Sequence, residues 1–375
     1  MKRLIIISIS VIIGILLAET YLRLFKPQIT YDRLPDTGTG CYQPDQELFA
    51  VPKPNTVCTL RTPDYTMETP INPQGFVGSE EIPMEKYPDR PRIAFIGDSF
   101  TCGQGVYHFM AYPAVIGSML RGKHIPVEVI NASMVGSGPD WYYLQLKNTV
   151  AQFRPDIVVI GLFIGNDLSD MDYFYRKATD TAGLPTAIDT THEYVDIDGV
   201  RRSTTTPLRY KIPILRNSHV FQLLVTRLFG SFVYEDNPER SDEPCLLNPD
   251  CKKLEKNMSQ AVAVLTGIQK ISFSINAKLL VVILPWELQL PRHILALSRI
   301  NFFATDTRRH AITDALARQL QTAGISFIDL LPAFESYTGT EPLLYPQDRH
   351  WTPAGHRLAA EAIAPVILSI IAQQP

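Results

Sequence analysis

The stretch RIAFIGDSFT at residues 92–101 decides the fold class of this chain. After Arg92, a short apolar run ends in Gly97, which is typical of a strand buried inside a parallel sheet. The polar residues Asp98, Ser99 and Thr101 come next, where such a strand gives way to a helix. Because ligands of open α/β sheets bind at the carboxyl ends of the strands, the stretch predicts a functional serine at the edge of a parallel sheet.

Strand-like and helix-like segments alternate outward from this stretch. The alternation predicts a central parallel sheet with helices on both faces, and therefore an α/β fold. The alternation stops at about 169–250. This segment is polar, contains prolines and has one helical stretch at 220–228, and we interpret the whole segment as an insertion. The other predicted strands are 127–131, 155–164, 278–284 and 326–330, and the predicted helices are 112–120, 141–153, 254–274, 305–323 and 353–372.

The N-terminus has the pattern of an export or anchor segment. Lys2 and Arg3 precede an almost unbroken apolar run at 4–18. This run is short for a bilayer span of about 20 residues, and it also fits a signal peptide. Leu16 would occupy the −3 position of a cleavage after Ala18, which favours an uncleaved anchor. The charges predict an anchor in the inner membrane with the rest of the chain in the periplasm or outside, and secretion after cleavage is the alternative.

Three parts of the chain follow from these patterns. We expect a signal anchor at 1–26, an irregular lead-in that can include short strands at 27–90, and an α/β domain at 91–375 that carries the insertion. The 375 residues, of which 45% are hydrophobic, are enough for one large α/β domain. The net charge of −3 gives no drive toward nucleic acid, whereas the apolar N-terminal segment predicts contact with a membrane.

The cysteines agree with export into an oxidising compartment. Cys41 with Cys58, and Cys245 with Cys251, bracket two short segments, so both pairs are candidates for disulfides, and four unrelated thiols are the alternative. Cys102 is left over. No cysteine or histidine cluster has the spacing of a zinc site, and we expect neither a metal nor a cofactor. The composition does not specify an oligomeric state.

Ser99 needs a base to become a nucleophile. His350 is suited to that role because imidazole titrates near neutrality. Asp348 lies two residues before it, and residues i and i+2 of an extended segment project to the same side. We therefore expect Asp348 to accept the other imidazole N–H and to fix the tautomer of His350, which gives a Ser-His-Asp triad.

Two further strand ends carry candidate oxyanion donors. Gly136 follows the strand at 127–131 and would let a backbone N–H approach a substrate oxygen closely. Asn166 follows the strand at 155–164 and offers a side-chain amide. One such donor is worth roughly 3–4 kcal/mol at the transition state. The alternatives are a simple turn glycine at Gly136 and an Asx cap at Asn166.

Other residues compete for these roles. His356 is a rival base, but it follows Pro353 inside a predicted helix. Cys102 is a rival nucleophile, although a small core residue is the simpler interpretation. Asp98 and Asp167 resemble a pair of metal ligands, but no third ligand is evident, and Asp167 is better explained as structural.

Four blocks, in the right order, resemble the SGNH/GDSL hydrolase superfamily. They are FIGDSFTCGQGV at 95–106, VINASMVGSGPD at 129–140, GLFIGNDLSD at 161–170 and DRHWTPAGHRLAAEAI at 348–363. The resemblance implies a flavodoxin-like three-layer sandwich. It also implies Ser99 as nucleophile, His350 as base and Asp348 as the residue that orients it. The Ser99 N–H, the Gly136 N–H and the Asn166 amide would then form the oxyanion hole.

The sequence departs from this family in two blocks. The commonest spacing is Asp-x-x-His, whereas Asp348-x-His350-Trp351 resembles the alginate acetyltransferase-like branch, and Ser133 stands where a glycine is usual. The expected function is therefore a serine hydrolase acting on carbohydrate or lipid acyl esters. The alternatives are an O-acetyltransferase that modifies an extracytoplasmic polysaccharide and a non-catalytic glycan-binding protein. We expect the insertion to shape the substrate pocket, where its aromatic residues either line the site or pack within exposed loops. These are Tyr173, Phe174 and Tyr175.

Overall fold

A computed structural model describes most of the chain. The described residues are 2–26, 28, 40–62, 64–204, 212–229, 251–298, 310–346 and 348–373. Within them, two helices are long and apolar enough to cross a membrane, judged by length and composition: Ile5–Phe25 and Pro353–Ala372. In Pro353–Ala372, 44% of the most apolar stretch is buried, and this helix packs in the core. In Ile5–Phe25, which belongs to the N-terminal helix Lys2–Phe25, only 6% of that stretch is buried.

The lead-in carries more regular structure than expected. Its strands pair as two antiparallel hairpins, Tyr42–Asp45 with Phe49–Pro52 and Thr56–Arg61 with Thr66–Ile71. A disulfide joins Cys41 to Cys58 across the two hairpins, as the cysteine spacing predicted. The lead-in therefore forms a small, cross-linked β layer that the lack of sustained periodicity did not indicate.

Of the remaining three cysteines, two are among the described residues and one is not. Cys251 is disulfide-bonded, while Cys245, its expected partner, lies outside the described residues. Cys102 is a free, buried thiol.

A five-stranded sheet forms the centre of the molecule, and all of its strands are parallel. Every residue of the first strand, Arg92–Gly97, is buried, which explains its nearly continuous apolar run. The second strand lies on one side of this strand and the third on the other, so the strand order reverses here and opens a crevice at the carboxyl edge. In spatial order the strands are Phe327–Asp329, Lys278–Leu284, Ile157–Phe163, Arg92–Gly97 and Glu128–Asn131.

Helices cover both faces of the sheet and complete the predicted three-layer α/β fold. The chain crosses the sheet in opposite directions before and after Glu128–Asn131, and right-handed crossovers then place the connecting helices on opposite faces. Pro353–Ala372 packs on Tyr112–Gly122, and Lys252–Ser274 packs on Pro139–Asn148. The other helices outside the insertion are Ser99–Cys102, Arg292–Leu297, Ala311–Thr322 and Leu331–Glu335, with 3-10 turns at His108–Met110, Val150–Phe153 and Glu287–Gln289.

Two predicted helices differ from the structure. The helix expected at 141–153 ends at Asn148, after which a separate 3-10 turn follows. The helix expected at 305–323 is described only from Ala311, because 299–309 lie outside the described residues.

The insertion also contains unexpected strands. Tyr175–Thr179 pairs with Pro185–Asp189, and Glu193–Val195 pairs with Arg201–Ser203, each antiparallel. The predicted helix at 220–228 is present as His219–Phe229, and 230–250 lie outside the described residues. Two shorter helices, Asp167–Tyr173 and Pro213–Arg216, complete this region.

Candidate active site

Ser99 begins a short helix directly after the central strand Arg92–Gly97. Asp98 caps this helix, since its Oδ1 accepts a hydrogen bond of 2.9 Å from the Phe100 N–H. Gly103 ends the helix with a φ of 91°, a left-handed conformation that glycine adopts without strain. The strand and both caps therefore fix the serine hydroxyl at the reversal point of the sheet.

The structure brings Ser99, His350 and Asp348 together. His350 Nε2 lies 2.8 Å from Ser99 Oγ, and His350 Nδ1 lies 2.9 Å from Asp348 Oδ1. The expected extended backbone between the acid and the histidine is wrong, because Arg349 has a φ of 66°. The Arg349 guanidinium Nη1 forms an ion pair with Glu287 Oε1 at 3.0 Å. This ion pair holds Arg349 in its left-handed conformation, which turns Asp348 and His350 toward one another.

Aromatic packing holds the His350 ring in place. The ring lies 4.7 Å from the ring of Phe100, centroid to centroid. Trp351 is fully buried, 5.2 Å from the Phe100 ring and 4.9 Å from the Phe334 ring. The tryptophan of the Asp-x-His-Trp block therefore anchors the loop in the core, immediately after the histidine.

The environment favours a charged His350. Burial disfavours the imidazolium, but the charge and hydrogen bond of Asp348 outweigh it, together with the charges of Asp98 and Glu287. The pKa of His350 is consequently raised above its ordinary value of 6.5. A histidine that accepts a proton readily is suited to deprotonate a neighbouring hydroxyl.

Three residues that the sequence analysis missed surround the acid end of this triad. The Tyr65 hydroxyl donates to Asp348 Oδ2, and the Asp348 N–H donates to Asp64 Oδ2 at 2.7 Å. Gln104 Nε2 lies 3.2 Å from the Tyr65 hydroxyl and 3.4 Å from His350 Nδ1. Tyr65 and Asp64 come from the lead-in, which carries none of the four motif blocks.

Gly136 lies in a loop whose backbone is held by the insertion. Its φ is 66°, a left-handed conformation that favours glycine, and a Cβ at this position would lie 2.9 Å from Arg201 Nη1 and displace the guanidinium. Arg201 donates to the carbonyl oxygens of Val135 and Gly136, at 2.6 and 3.1 Å. Glu193 binds the same guanidinium at 2.6 Å. Arg201 was also missed, because a lone arginine in an insertion carries no motif.

Asn166 lies at the start of the helix Asp167–Tyr173. Its Nδ2 donates to Asp170 Oδ2 at 2.9 Å, and its carbonyl accepts the Asp170 N–H at 2.8 Å. An amide nitrogen has two hydrogens, so one remains to bind an oxyanion while Asp170 orients the group. Asn166 occupies the N-cap position, but its Oδ1 accepts no hydrogen bond from the described residues, so the Asx alternative is wrong and the amide keeps one free N–H.

The buried acids near the site have structural partners or raised pKa values. Burial raises the pKa of Asp98 to about 7 and that of Asp167 well above its ordinary value. Asp167 accepts hydrogen bonds from the Tyr142 hydroxyl at 2.8 Å and from the Phe163 N–H at 2.9 Å, which accounts for it structurally. Among the described residues, no group of three or more His, Cys, Asp or Glu side chains is arranged to hold a metal ion.

Neither rival residue is suited to the chemistry. His356 is fully buried, its Nδ1 accepts the Tyr112 N–H at 3.3 Å, and burial lowers its pKa to about 3. Burial likewise raises the pKa of the Cys102 thiol to about 12, which leaves it protonated and weakly nucleophilic. Both residues are therefore part of the core.

The insertion aromatics do not share one environment. Tyr173 and Phe174 are buried, and the Phe174 ring packs 6.1 Å from the Phe49 ring of the lead-in. Tyr175 is 48% exposed on the first insertion hairpin. The first two therefore attach the insertion to the lead-in and the core.

Two family models match the chain. A GDSL-like Lipase/Acylhydrolase model matches residues 93–218, which include Ser99, Gly136 and Asn166. A model described as SGNH hydrolase-like domain, acetyltransferase AlgX, matches residues 251–374, which include Asp348 and His350. No curated protein sequence matches the chain.

Solved structures resemble the chain at low identity. The crystal structure of TesA is 13% identical, with 75% of this chain and 99% of that chain covered and a TM-score of 0.41. An acetyl xylan esterase, AlAXEase, is 12% identical, covers 74% and 99%, and has a TM-score of 0.39. A lipase/acylhydrolase from Enterococcus faecalis is 15% identical, covers 74% and 96%, and has a TM-score of 0.38.

Proposed function

We propose that this chain, which belongs to the SGNH/GDSL hydrolase superfamily of esterases and acyltransferases, cleaves acyl esters with Ser99 as its nucleophile. The observation that carries the proposal is the continuous hydrogen-bonded series Ser99 Oγ, His350, Asp348, with heavy-atom distances of 2.8 and 2.9 Å. These distances match those between a nucleophile, its base and the group that orients the base. A non-catalytic glycan-binding protein would not require this series.

The proposed reaction has two steps. Ser99 Oγ attacks the ester carbonyl while His350 Nε2 takes the hydroxyl proton, and a tetrahedral intermediate forms. The C–O bond to the alcohol then breaks, His350 gives its proton to the leaving oxygen, and an acyl-Ser99 ester remains. Water, activated by His350, hydrolyses this ester and regenerates the serine.

The oxyanion of both intermediates would accept hydrogen bonds from the Ser99 N–H, the Gly136 N–H and the Asn166 amide. Arg201 and Asp170 support this role, because they fix the Gly136 loop and the Asn166 amide before substrate arrives. Donors that are already oriented need no reorganisation as the negative charge develops.

Acyl transfer is the second candidate. The Asp348-x-His350-Trp351 loop lies within the segment that matches the acetyltransferase model. A sugar hydroxyl would then replace water in the second step and carry the acyl group away on an extracytoplasmic polysaccharide. A glycan ester is therefore the leading substrate class, with a lipid acyl ester as the alternative.

The test uses the full chain purified in detergent, with p-nitrophenyl acetate as substrate. We expect Ser99→Ala and His350→Ala each to lower kcat by at least about a thousandfold, whereas the core variant His356→Asn retains activity if its melting temperature is close to that of the wild type. Equal rates for the wild type and Ser99→Ala would refute the proposal. Oligosaccharide acceptors then separate the two reactions, because transfer yields acetylated sugar and hydrolysis yields only free acetate.

We further propose that residues 1–26 form an uncleaved inner-membrane anchor, with the lead-in at 27–90 and the hydrolase domain at 91–375 on the outer side. Contacts of Glu19 support retention: its carboxylate accepts the His219 and Val220 N–H groups, each at 2.9 Å, at the start of an insertion helix. The Cys41–Cys58 disulfide supports an oxidising compartment. An alkaline phosphatase fused after residue 40 should be active. Mass spectrometry of the intact protein should give a mass that includes residues 1–26.

A further inference from the structure

A cavity of about 70 Å³ lies between the lead-in hairpins and the core, beside the candidate active site. We propose that it receives the acyl chain of the ester, with a length of about four to six carbons; this inference rests on the proposed function. The hairpins precede residue 93 and so lie outside both family matches. The acyl specificity of this protein would then come from its own N-terminal layer and not from the insertion, where we had expected it.

The walls of the cavity are mainly apolar. Leu60, Met67 and Ile71 line it from the lead-in, and Met134 and Val135 line it from the core. The described residues around it include no lysine, arginine or carboxylate. A neutral hydrocarbon chain matches such walls, whereas a cavity of about 70 Å³ is too small for a sugar ring.

Two hydroxyls show that the cavity is more than a packing defect. Thr69 Oγ1 and Ser133 Oγ are buried and have no hydrogen-bond partner among the described residues, and both residues line the cavity. Buried polar groups are normally satisfied by protein, water or a ligand. Their position therefore indicates a space that solvent or substrate enters.

The cavity adjoins the candidate nucleophile through two elements. Cys102 lines it and lies one turn after Ser99 in the same short helix. Gln104 lines it as well, and its Nε2 lies 3.4 Å from His350 Nδ1. On the other side, the Met134 N–H donates to Gly97 O at 3.1 Å, which ties the cavity wall to the strand that leads to Ser99. An acyl carbonyl at Ser99 thus has this apolar space beside it.

The volume of the cavity limits the length of the acyl chain that it can hold. One buried water needs roughly 10–15 Å³ of such space, so the cavity has room for about five groups of that size. Butyryl and hexanoyl groups match this capacity. A decanoyl chain would have to leave the cavity and expose its far end to solvent.

The experiment compares kcat/KM for p-nitrophenyl acetate, butyrate, hexanoate, octanoate and decanoate with the full chain in detergent. For the wild type we expect a rise of about threefold to fourfold per added methylene up to hexanoate, and a fall beyond it. Leu60→Trp fills the cavity and should lower the hexanoate-to-acetate ratio at least tenfold. Leu60→Ala enlarges it and should move the optimum to octanoate.

Val57 provides the matched control, because it lies on the same strand, is 57% exposed and does not line the cavity. Val57→Trp and Val57→Ala should leave the chain-length profile unchanged. If Ser99-dependent hydrolysis is present but both Leu60 variants keep the wild-type profile, the cavity proposal is overturned and the proposed function stands. If the wild type hydrolyses none of these esters, the proposed function fails.

Binding tests the cavity without turnover. Calorimetric titration of the full-length Ser99→Ala variant with hexanoate should show binding that Leu60→Trp weakens at least tenfold and Val57→Trp does not. Hexanoate binding that is absent, or equal in the two variants, overturns the acyl subsite whatever the kinetic result.

Discussion

The lead-in hairpin that carries Tyr65 and the insertion hairpin that carries Arg201 approach the same site from opposite ends. The first contacts the acid: Tyr65 and Asp64 bind the side chain and backbone of Asp348. The second contacts the loop of Gly136, where Arg201 binds two backbone carbonyls. One hairpin therefore contacts the charged Asp348–His350 pair, and the other contacts the backbone around Gly136.

From this difference we expect the two accessory regions to control separable properties. A contact to Asp348 changes the charge that His350 experiences, so it should change the pH dependence of the reaction. A contact to the carbonyls around Gly136 changes the alignment of a donor, so it should change kcat at every pH. Three variants test this separation and a fourth tests the stability of the lead-in, in order of decreasing effect on turnover.

The largest effect is expected for Asp348→Asn, which removes the charge that the lead-in hairpin contacts. We expect kcat to fall roughly 10³–10⁴-fold, because the imidazole loses the acceptor that fixes its tautomer. The pKa of His350 is raised chiefly by Asp348, so the acid limb of kcat/KM should move to lower pH when that charge is removed. An acid limb that stays in place would show that another group sets it.

Arg201→Met removes the guanidinium that donates to the carbonyl oxygens of Val135 and Gly136. We expect kcat to fall about tenfold to a hundredfold, less than for the loss of a direct oxyanion donor. The acid limb should keep its position, because the contact between His350 and Asp348 is unchanged. Arg201→Lys should recover only part of the rate, since one ammonium does not reproduce the planar fork that spans two carbonyls. A displaced acid limb in Arg201→Met would break the proposed separation.

Tyr65→Phe makes a smaller change at the acid end. The hydroxyl donates to Asp348, and without it the carboxylate presents more charge to His350, so the pKa of His350 should rise further. We expect a drop of a few-fold in kcat/KM at neutral pH and an acid limb at higher pH, opposite in direction to Asp348→Asn. Tyr87→Phe, at a surface tyrosine far from these contacts, is the control and should match the wild type in both measurements.

The smallest effect on turnover is expected when Cys41 and Cys58 are both changed to serine. The disulfide closes a loop with a sequence separation of 17 residues, for which chain entropy gives about 3 kcal/mol of stability. The melting temperature should therefore fall by several degrees, and urea should unfold the variant at a lower concentration. An unchanged melting temperature would mean that the hairpins are held to the core by packing alone.

The fold could be predicted from the sequence because each buried parallel strand is a local run of apolar residues. Polar motif residues follow the carboxyl ends of these strands. Ser99, Gly136 and Asn166 were found by that logic, whereas His350 and Asp348 were found from imidazole chemistry and their two-residue spacing. The structure brings Ser99, His350 and Asp348 together. The catalytic roles of all five residues remain predictions. The backbone at Arg349 was predicted wrongly, because its left-handed conformation depends on an ion pair with Glu287, far away in the sequence.

The supporting residues were not predictable in the same way. Tyr65 meets Asp348 across 283 residues, and Arg201 meets Val135 across 66 residues. Each is a single side chain in a segment without sustained periodicity, so neither spacing nor composition marks it. Only the packing of the hairpins against the core selects these residues.

The long separations also determine when activity can appear during biosynthesis. Ser99 and His350 are 251 residues apart, and the histidine loop leads directly into the helix Pro353–Ala372. A ribosome-bound chain therefore exposes its serine long before the base is made. A nascent chain that has been synthesised only as far as the insertion holds Ser99 without the histidine and the carboxylate that we propose activate it.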